Sequence, residues 1–378
     1  MKETVYLDNS ATTKPCEEAI AFMNKALTDN WGNPSSLHTI GISAEDVLIS
    51  CKEACAKAIG SRSDEIYFTS GGTEANNLAL NGAVLSRAKR GNRIITTSIE
   101  HPSVSEVLKR FEEKGFEVIY LEPDTDGRIS VDAFRSALTE KTILVSIMLV
   151  NNETGAIQPI KEISKTIKAS GYSPVFHCDA VQAFGKLPIK VSELGVDLLS
   201  FSGHKIHAPK GIGVLYRRKN LHITPLTFGG GQQEGLRPGT EPVPLVAALE
   251  GAIKALPDPN KKLPEMAELF KYARTKLLET GLVELNSAEA ALPYVLNISV
   301  PGWRSETLLH FLDNKGIFVS SGSACAKGGT SPTLSAMKLD RKRIDSALRI
   351  SFSRFSTFSD VDKLCEAITE ATTKLKRA

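Results

Sequence analysis

Tryptophan and methionine are scarce in this 378-residue chain, at two and five copies, and cysteine occurs only six times. The cysteines, at 16, 51, 55, 178, 325 and 365, are too scattered to form a disulfide framework in a chain this long. Cys51 and Cys55 lie one helical turn apart, but no histidine or second cysteine pair accompanies them. They read as packing residues, and no metal site is expected. No sign of charge dominates either: 46 Lys and Arg against 43 Asp and Glu leave +3. The short basic clusters at 341–343 and at the C-terminus read as solvated helix ends, so a direct nucleic-acid partner is not expected. Met1-Lys2-Glu3-Thr4 lacks the apolar core of a signal peptide, and no apolar run approaches a membrane span. A cytoplasmic location without a membrane partner is the expectation. Internal repeats and low-complexity segments are missing too.

What is present is ordinary globular composition, 42% apolar and 24% charged, in a chain long enough for two or three folding units. Glu17–Thr28 and Ala44–Ile59 carry amphipathic helical patterns, the second opening on a capping-box-like Ser43-x-x-Asp46. Apolar strand patterns follow at Ile66–Thr69, Arg93–Thr97, Glu117–Leu121, Ile143–Val150, Val175–Cys178, Leu198–Ser202 and Gly213–Tyr216. Helical segments separate most of them, which predicts an α/β fold with a mostly parallel sheet covered on both faces. The last connections are too short for helical crossovers, so an antiparallel strand is expected there. A glycine-rich loop, Phe228–Gly235, precedes a helix near Val243–Leu256. The breaker Pro257-Asp258-Pro259-Asn260 then marks a boundary. Beyond it, strands at Val295–Val300, Ile317–Ser320 and Leu348–Phe352 and a helix over Asp360–Lys376 suggest a smaller α+β domain.

Three stretches carry chemistry. In Ser70-Gly71-Gly72-Thr73-Glu74-Ala75-Asn76-Asn77 a strand runs into two glycines and a threonine at a helix start. Bare amides and a hydroxyl there suit a phosphate, though alone they equally fit a plain helix cap. The Walker and G-x-G-x-x-G spacings are absent. Phe201-Ser202-Gly203-His204-Lys205 ends an apolar strand on a single lysine, a residue used as a Schiff-base nucleophile when its surroundings lower its pKa. By itself it could be an exposed loop lysine. His177-Cys178-Asp179-Ala180-Val181-Gln182 puts a carboxylate at the end of another strand, and ligands of open α/β sheets gather at such ends. A phosphate cradle, a lysine and an acid together are what pyridoxal 5'-phosphate requires.

With these stretches the chain resembles the cysteine desulfurases, within the class-V aminotransferase group of pyridoxal-phosphate enzymes. The resemblance rests on Tyr6–Thr13, Gly32–His38, Ser70–Asn77, Glu100-His101, Val150–Gly155, Asp179–Gln182, Ser202–Lys205, Arg237–Glu241 and Ser320–Cys325, in the family's order over nearly the whole chain. Small departures are Ser10, Ala208 and Pro238, none of which removes a functional group. The resemblance implies the aspartate-aminotransferase-like fold (fold type I). Residues 15–256 would form the large cofactor-binding domain, and 1–14 with 257–378 the small one.

The resemblance also implies roles. Lys205 would hold the cofactor and move a proton, Asp179 would pair with its ring nitrogen, and Gln182 would bond its phenolic oxygen. His101 would stack on the ring and assist proton transfer. Gly72, Thr73, Ser202 and His204 would hold the phosphate, with Thr240 reaching over from a second subunit of a homodimer. Asn152 and Arg349 would bind the substrate α-carboxylate, Arg by its bidentate fork, with Asn33 also at the substrate. Asn152 is placed within reach of the cofactor as well.

Cys325 distinguishes among members. It sits in Ser321-Gly322-Ser323-Ala324-Cys325-Ala326-Lys327-Gly328-Gly329, among small residues and near a lysine that favours thiolate. It resembles the thiol of the long-loop desulfurases and would take sulfur from L-cysteine as a persulfide. That sulfur would pass to an acceptor such as an iron–sulfur scaffold or a tRNA-thiolation protein. Cys178 reads as packing behind the cofactor. Rival readings are a selenocysteine lyase, another class-V enzyme, and a catalytically silent sulfur-transfer scaffold; Lys205 and Asp179 speak against the last.

Overall fold

The computed structural model describes residues 4–321 and 330–377. Its centre is a seven-stranded sheet in the order Ile66–Thr69, Gly213–Arg217, Leu198–Ser202, Val175–Asp179, Thr142–Ser146, Arg93–Thr97, Glu117–Leu121. All neighbours are parallel except Gly213–Arg217, which runs antiparallel to both of its partners. The expected antiparallel strand is therefore there, reached from Ser202 through only a 3-10 turn at Gly203–Lys205.

The parallel strands alternate with helices at Gly72–Arg87, Pro102–Glu113, Val131–Ala137, Ile160–Ser170 and Val191–Leu194. Thr142–Ser146, Val175–Asp179 and Leu198–Ser202 are buried at every residue, which is why they read as continuous apolar runs rather than alternating ones. Phe184 and Phe201 stack in the core, with centroids 3.8 Å apart and rings 11° from parallel.

Two expectations about boundaries are corrected. The second helix starts at Thr39, not Ala44, because His38 is its N-cap and accepts from the Gly41 amide at 3.2 Å. Ser43 lies inside the helix and accepts from Asn30 Nδ2 at 2.5 Å. The strand expected over Ile143–Val150 is regular only over Thr142–Ser146. Ile147–Val150 stay buried, the Ile147 and Leu149 amides still donating to the His177 and Asp179 carbonyls at 3.2 and 2.8 Å, and Val150 bridges Ile157.

A second, antiparallel sheet sets Val295–Ser299 between Ala347–Ser351 and Glu284–Leu285. The N-terminal strand Val5–Tyr6 joins this half of the chain by pairing in parallel with Ile317–Phe318, and Asp8 bridges Ser351. Helices Glu17–Asp29, Thr39–Ile59 and Val243–Lys254 pack together. A Cβ on Gly251 would meet the Glu18 carbonyl oxygen at 2.6 Å, so only glycine allows that approach. The C-terminal helix spans Phe358–Lys374, capped by Thr357 and Asp360.

Candidate active site

The carboxyl ends of Val175–Asp179 and Leu198–Ser202 face the start of helix Gly72–Arg87. A Cβ on Gly72 would come within 2.9 Å of Val181 Cγ2, and one on Gly213 would strike the Gly71 backbone at 2.5 Å. Both glycines hold the strand, helix and turn close enough to form one pocket wall. The Ser202 hydroxyl is buried there with no partner, 3.9 Å from the position of a Cβ on Gly71. Thr73 stands exposed at the same helix end.

Asp179 is 5% exposed. One carboxylate oxygen accepts from the Val181 amide at 2.9 Å and the other from Asn76 Nδ2 at 2.8 Å. Asn76 also donates to Ser103 Oγ at 2.8 Å, and Ser103 lies 2.8 Å from His101 Nδ1. Because the Ser103 amide donates to that same Nδ1 at 3.1 Å, the neutral ring carries its proton on Nε2. Burial lowers the His101 pKa; Asp179 opposes this, and Lys205 lowers it further. The carboxylate and the imidazole are thus joined through Asn76 and Ser103, two residues to which the sequence alone assigns no role. Their side chains are ordinary, and only burial reveals them. Glu100, next to His101 in the chain, is half-buried, and desolvation of its carboxyl pushes it up to about 8. Its Oε1 accepts from Thr97 and Met148, and its Oε2 has no partner.

Lys205 ends the turn after Leu198–Ser202. Its Nζ donates to the carbonyls of Ser10 and Ala11, the latter at 2.7 Å. Gln182 Nε2 donates to the same Ser10 carbonyl at 3.0 Å. The segment Ser10–Thr13 is fixed in turn by His204, whose carbonyl accepts from the Thr13 amide at 2.9 Å and whose Nδ1 lies 3.2 Å from Thr12 Oγ1. Burial first, then Lys205, brings the His204 pKa down to about 4. Cys178 is fully buried and its thiol is pushed well up by burial, as a packing residue behind Asp179 should be.

Arg349 sits in the small sheet, 6% exposed. It pairs with Asp8 Oδ1 at 2.8 Å and donates to the Asn152 carbonyl at 3.2 Å, while its Nε has no partner among the described residues. Its main chain exchanges hydrogen bonds with Ser320. On the far side of residues 322–329, Ser331 donates to buried Glu153 at 2.5 Å. Cys325 itself lies outside the described residues, but both flanks of its segment are attached beside Asn152 and Arg349.

Lys205, Asp179, Gln182, His101, Ser202, His204 and the Gly72 turn therefore come together, with Arg349 and Asn152 beside each other. Two of the expected residues are not drawn in by hydrogen bonds among the described residues. Asn33 is exposed, with its Oδ1 taken by the Ser35 amide at 3.0 Å. Thr240 is exposed on the loop that the Arg237–Glu74 ion pair (2.9 Å) holds against the helix start.

The donor set fits pyridoxal 5'-phosphate. An unpartnered buried hydroxyl and a glycine-lined helix start suit a phosphate. A fixed carboxylate and a lysine amine stand at neighbouring strand ends.

The class-V aminotransferase family profile matches residues 5–364. A Bacillus subtilis (strain 168) protein named putative cysteine desulfurase IscS 1 is 41% identical, over 99% of this chain and 100% of its own. The solved structure of a NifS-like protein superposes with a TM-score of 0.93 at 37% identity, covering 99% of this chain and 100% of that one. Another, titled SspA in complex with cysteine, does so at 0.83 and 33%, over 94% and 100%. The chain belongs to the class-V aminotransferase family, whose members use pyridoxal phosphate, and within it to the cysteine desulfurases.

Proposed function

We propose that the chain takes sulfur from L-cysteine at the Lys205 site, releases L-alanine, and carries the sulfur as a persulfide on Cys325 to a protein acceptor. The observation that carries this reading is the convergence of Lys205 and Gln182 on one carbonyl, beside an Asp179 already fixed by two donors. When bound, the cofactor supplies an electron sink for the substrate's α-carbon. The protein supplies placement and proton traffic. Asp179 would hold the ring nitrogen, Gln182 the phenolic oxygen, and Gly72, Thr73, Ser202 and His204 the phosphate. His101 would offer Nε2–H over the ring. Lys205 would attach the cofactor and, once free, take and return a proton at its Nζ.

Arg349 and Asn152 would hold the substrate carboxylate, with Asn33 also at the substrate. The Cys325 thiolate then attacks the substrate sulfur. An S–S bond forms as the Cβ–S bond breaks, and the electron pair stays on the carbon skeleton, which takes a proton and leaves as L-alanine. The acceptor belongs to the iron–sulfur scaffolds or the tRNA-thiolation proteins.

A second copy of the chain completes the site in this reading. Trp31, Leu37 and Phe228 stand 66%, 96% and 90% exposed on the 31–38 segment and the glycine-rich loop, two stretches whose Ser35 and Gln233 line one hollow, which supports a face covered by the second copy. Thr240 would serve the partner's phosphate from this face. Residues 1–14 with 257–378 would form the small domain and 15–256 the large one, a division supported by the pairing of Val5 with Ile317. Five buried, free cysteines suit a reducing cytoplasm.

The test is anaerobic incubation with L-cysteine and dithiothreitol, measuring alanine and sulfide together. Equal yields from the wild type, and none from Lys205→Ala or Cys325→Ser, are expected. A cofactor-bearing wild type that makes no alanine would sink the substrate assignment and turn attention to selenocysteine.

A further inference from the structure

Lys186 is a lysine that the mechanism above does not use. It is 7% exposed, in the turn that follows Asp179. Its Nζ donates to Gln182 Oε1 at 3.2 Å and lies 5.8 Å from the centre of the Tyr294 ring. No salt bridge to it forms among the described residues. With Lys205 it lines a cavity of about 20 Å³ whose other walls include Asn9, His207, Tyr294 and Arg354, and none of the described lining residues is a carboxylate.

Two consequences follow from chemistry alone. A lysine ammonium can only donate, so it fixes which end of the Gln182 amide faces it. The oxygen turns to Lys186, and the nitrogen turns to the Ser10 carbonyl, where Lys205 Nζ also donates. Second, two ammonium groups lining one cavity each disfavour the other's charge. A neighbouring cation is one of the ways a lysine becomes a nucleophile near neutral pH.

We propose that Lys186 is a positioning residue for Lys205: it sets the orientation of Gln182 and, as a second cation in the same cavity, favours the uncharged nitrogen of Lys205. This rests on the reading that Lys205 carries the cofactor. Lys186 itself is brought down to about 7, by burial first and then by Lys205 and Arg349. Most of the groups around the pair point the same way. Arg354 and His207 line the same cavity as Lys186, and His207 is held neutral down to about 4, chiefly by burial. His101 and His204 face Lys205, and Lys205 lowers both of their pKa values. Asp179 is the opposing charge on this side, acting on His101.

The experiment is a pH titration of the visible absorbance of the lysine–cofactor linkage in the holoenzyme, without cysteine. Lys186→Met, similar in length and uncharged, is expected to raise the midpoint by about one pH unit. Lys186→Arg, which stays charged where Lys186 begins to lose its proton, is expected to leave the midpoint at or below the wild-type one. A Lys186→Met curve that superimposes on the wild type overturns the proposal. So does Lys186→Arg rising as far as Lys186→Met, since packing rather than charge would then be at work. Should Lys186→Met fail to fold, Lys186→Gln takes its place with the same expectation. No substrate enters the titration, so the midpoints keep their meaning even if the substrate is not L-cysteine, whereas a cofactor bound elsewhere than Lys205 overturns both readings.

Discussion

The side chains that stand out are those whose chemistry is conspicuous at a strand end. Lys205, Asp179 and Gln182 are legible in the sequence because lysine, acid and amide stand at the ends of apolar strands, and the structure brings Lys205 and Gln182 to one carbonyl while Asp179 is fixed by Val181 and Asn76. Asn76 is inconspicuous, one residue of a helix start, yet its Nδ2 holds both Asp179 and Ser103. Nothing in an asparagine four residues into a helix reveals a partner 103 positions away; burial at 0% exposure is what makes it matter. Replacing it should show this. Asn76→Ala removes a hydrogen bond to a charged group, worth about 1.5–3 kcal/mol. We expect cofactor affinity to fall roughly 10- to 100-fold, read by titrating the cofactor into the apo-chain and following fluorescence. An unchanged affinity would mean that the Val181 amide alone fixes Asp179.

At the level of elements, strands buried on both faces are legible because apolar runs with helices between them leave few alternatives. Their ends are harder. Ile147–Val150 are as apolar as the strand before them and equally buried, so composition does not show where the regular strand ends. The true start of the second helix is hidden because a histidine cap is less recognisable than a serine one. The antiparallel strand Gly213–Arg217 has a consequence for the site. Its first residue abuts the Gly71 backbone so tightly that an added Cβ would sit 2.5 Å from the Gly71 carbonyl carbon. Backbone cannot rotate away as a side chain tip can, so Gly213→Ala must displace the Gly71–Gly72 turn. The expected outcome is a folded protein with normal far-ultraviolet dichroism and cofactor affinity weakened about tenfold or more, the effect of roughly 1.4 kcal/mol. Wild-type affinity would show that the helix start is not the phosphate site.

Across the whole molecule, the buried titratable groups make stability depend on pH with two opposite signs. His177 bonds Ser146 Oγ at 2.9 Å and Ser200 Oγ at 3.0 Å between strands, and burial takes it down to about 3. The unfolded chain takes that proton near 6.5, the folded chain only near 3. Its contribution is therefore complete above 6.5 and is lost as the pH falls. His204 and His207, at about 4, act in the same direction. Glu100 does the reverse. Its unfolded carboxyl ionises near 4.5 while the folded one keeps its proton to about 8, so its contribution is present below 4.5 and fades through neutrality. The most it can lose is on the order of 5 kcal/mol. Glu100→Gln keeps the shape and the acceptor for Thr97 and Met148 without an ionisable proton, and should gain stability on the wild type steadily from pH 5 to pH 8. His177→Asn should do the opposite, losing least against the wild type at pH 4.5 and most at pH 7. Thermal melts of the three apo-proteins across that range read both slopes. Parallel curves for Glu100→Gln and the wild type would mean that Glu100 is ionised in the folded chain, and its unpartnered Oε2 would then have to reach water.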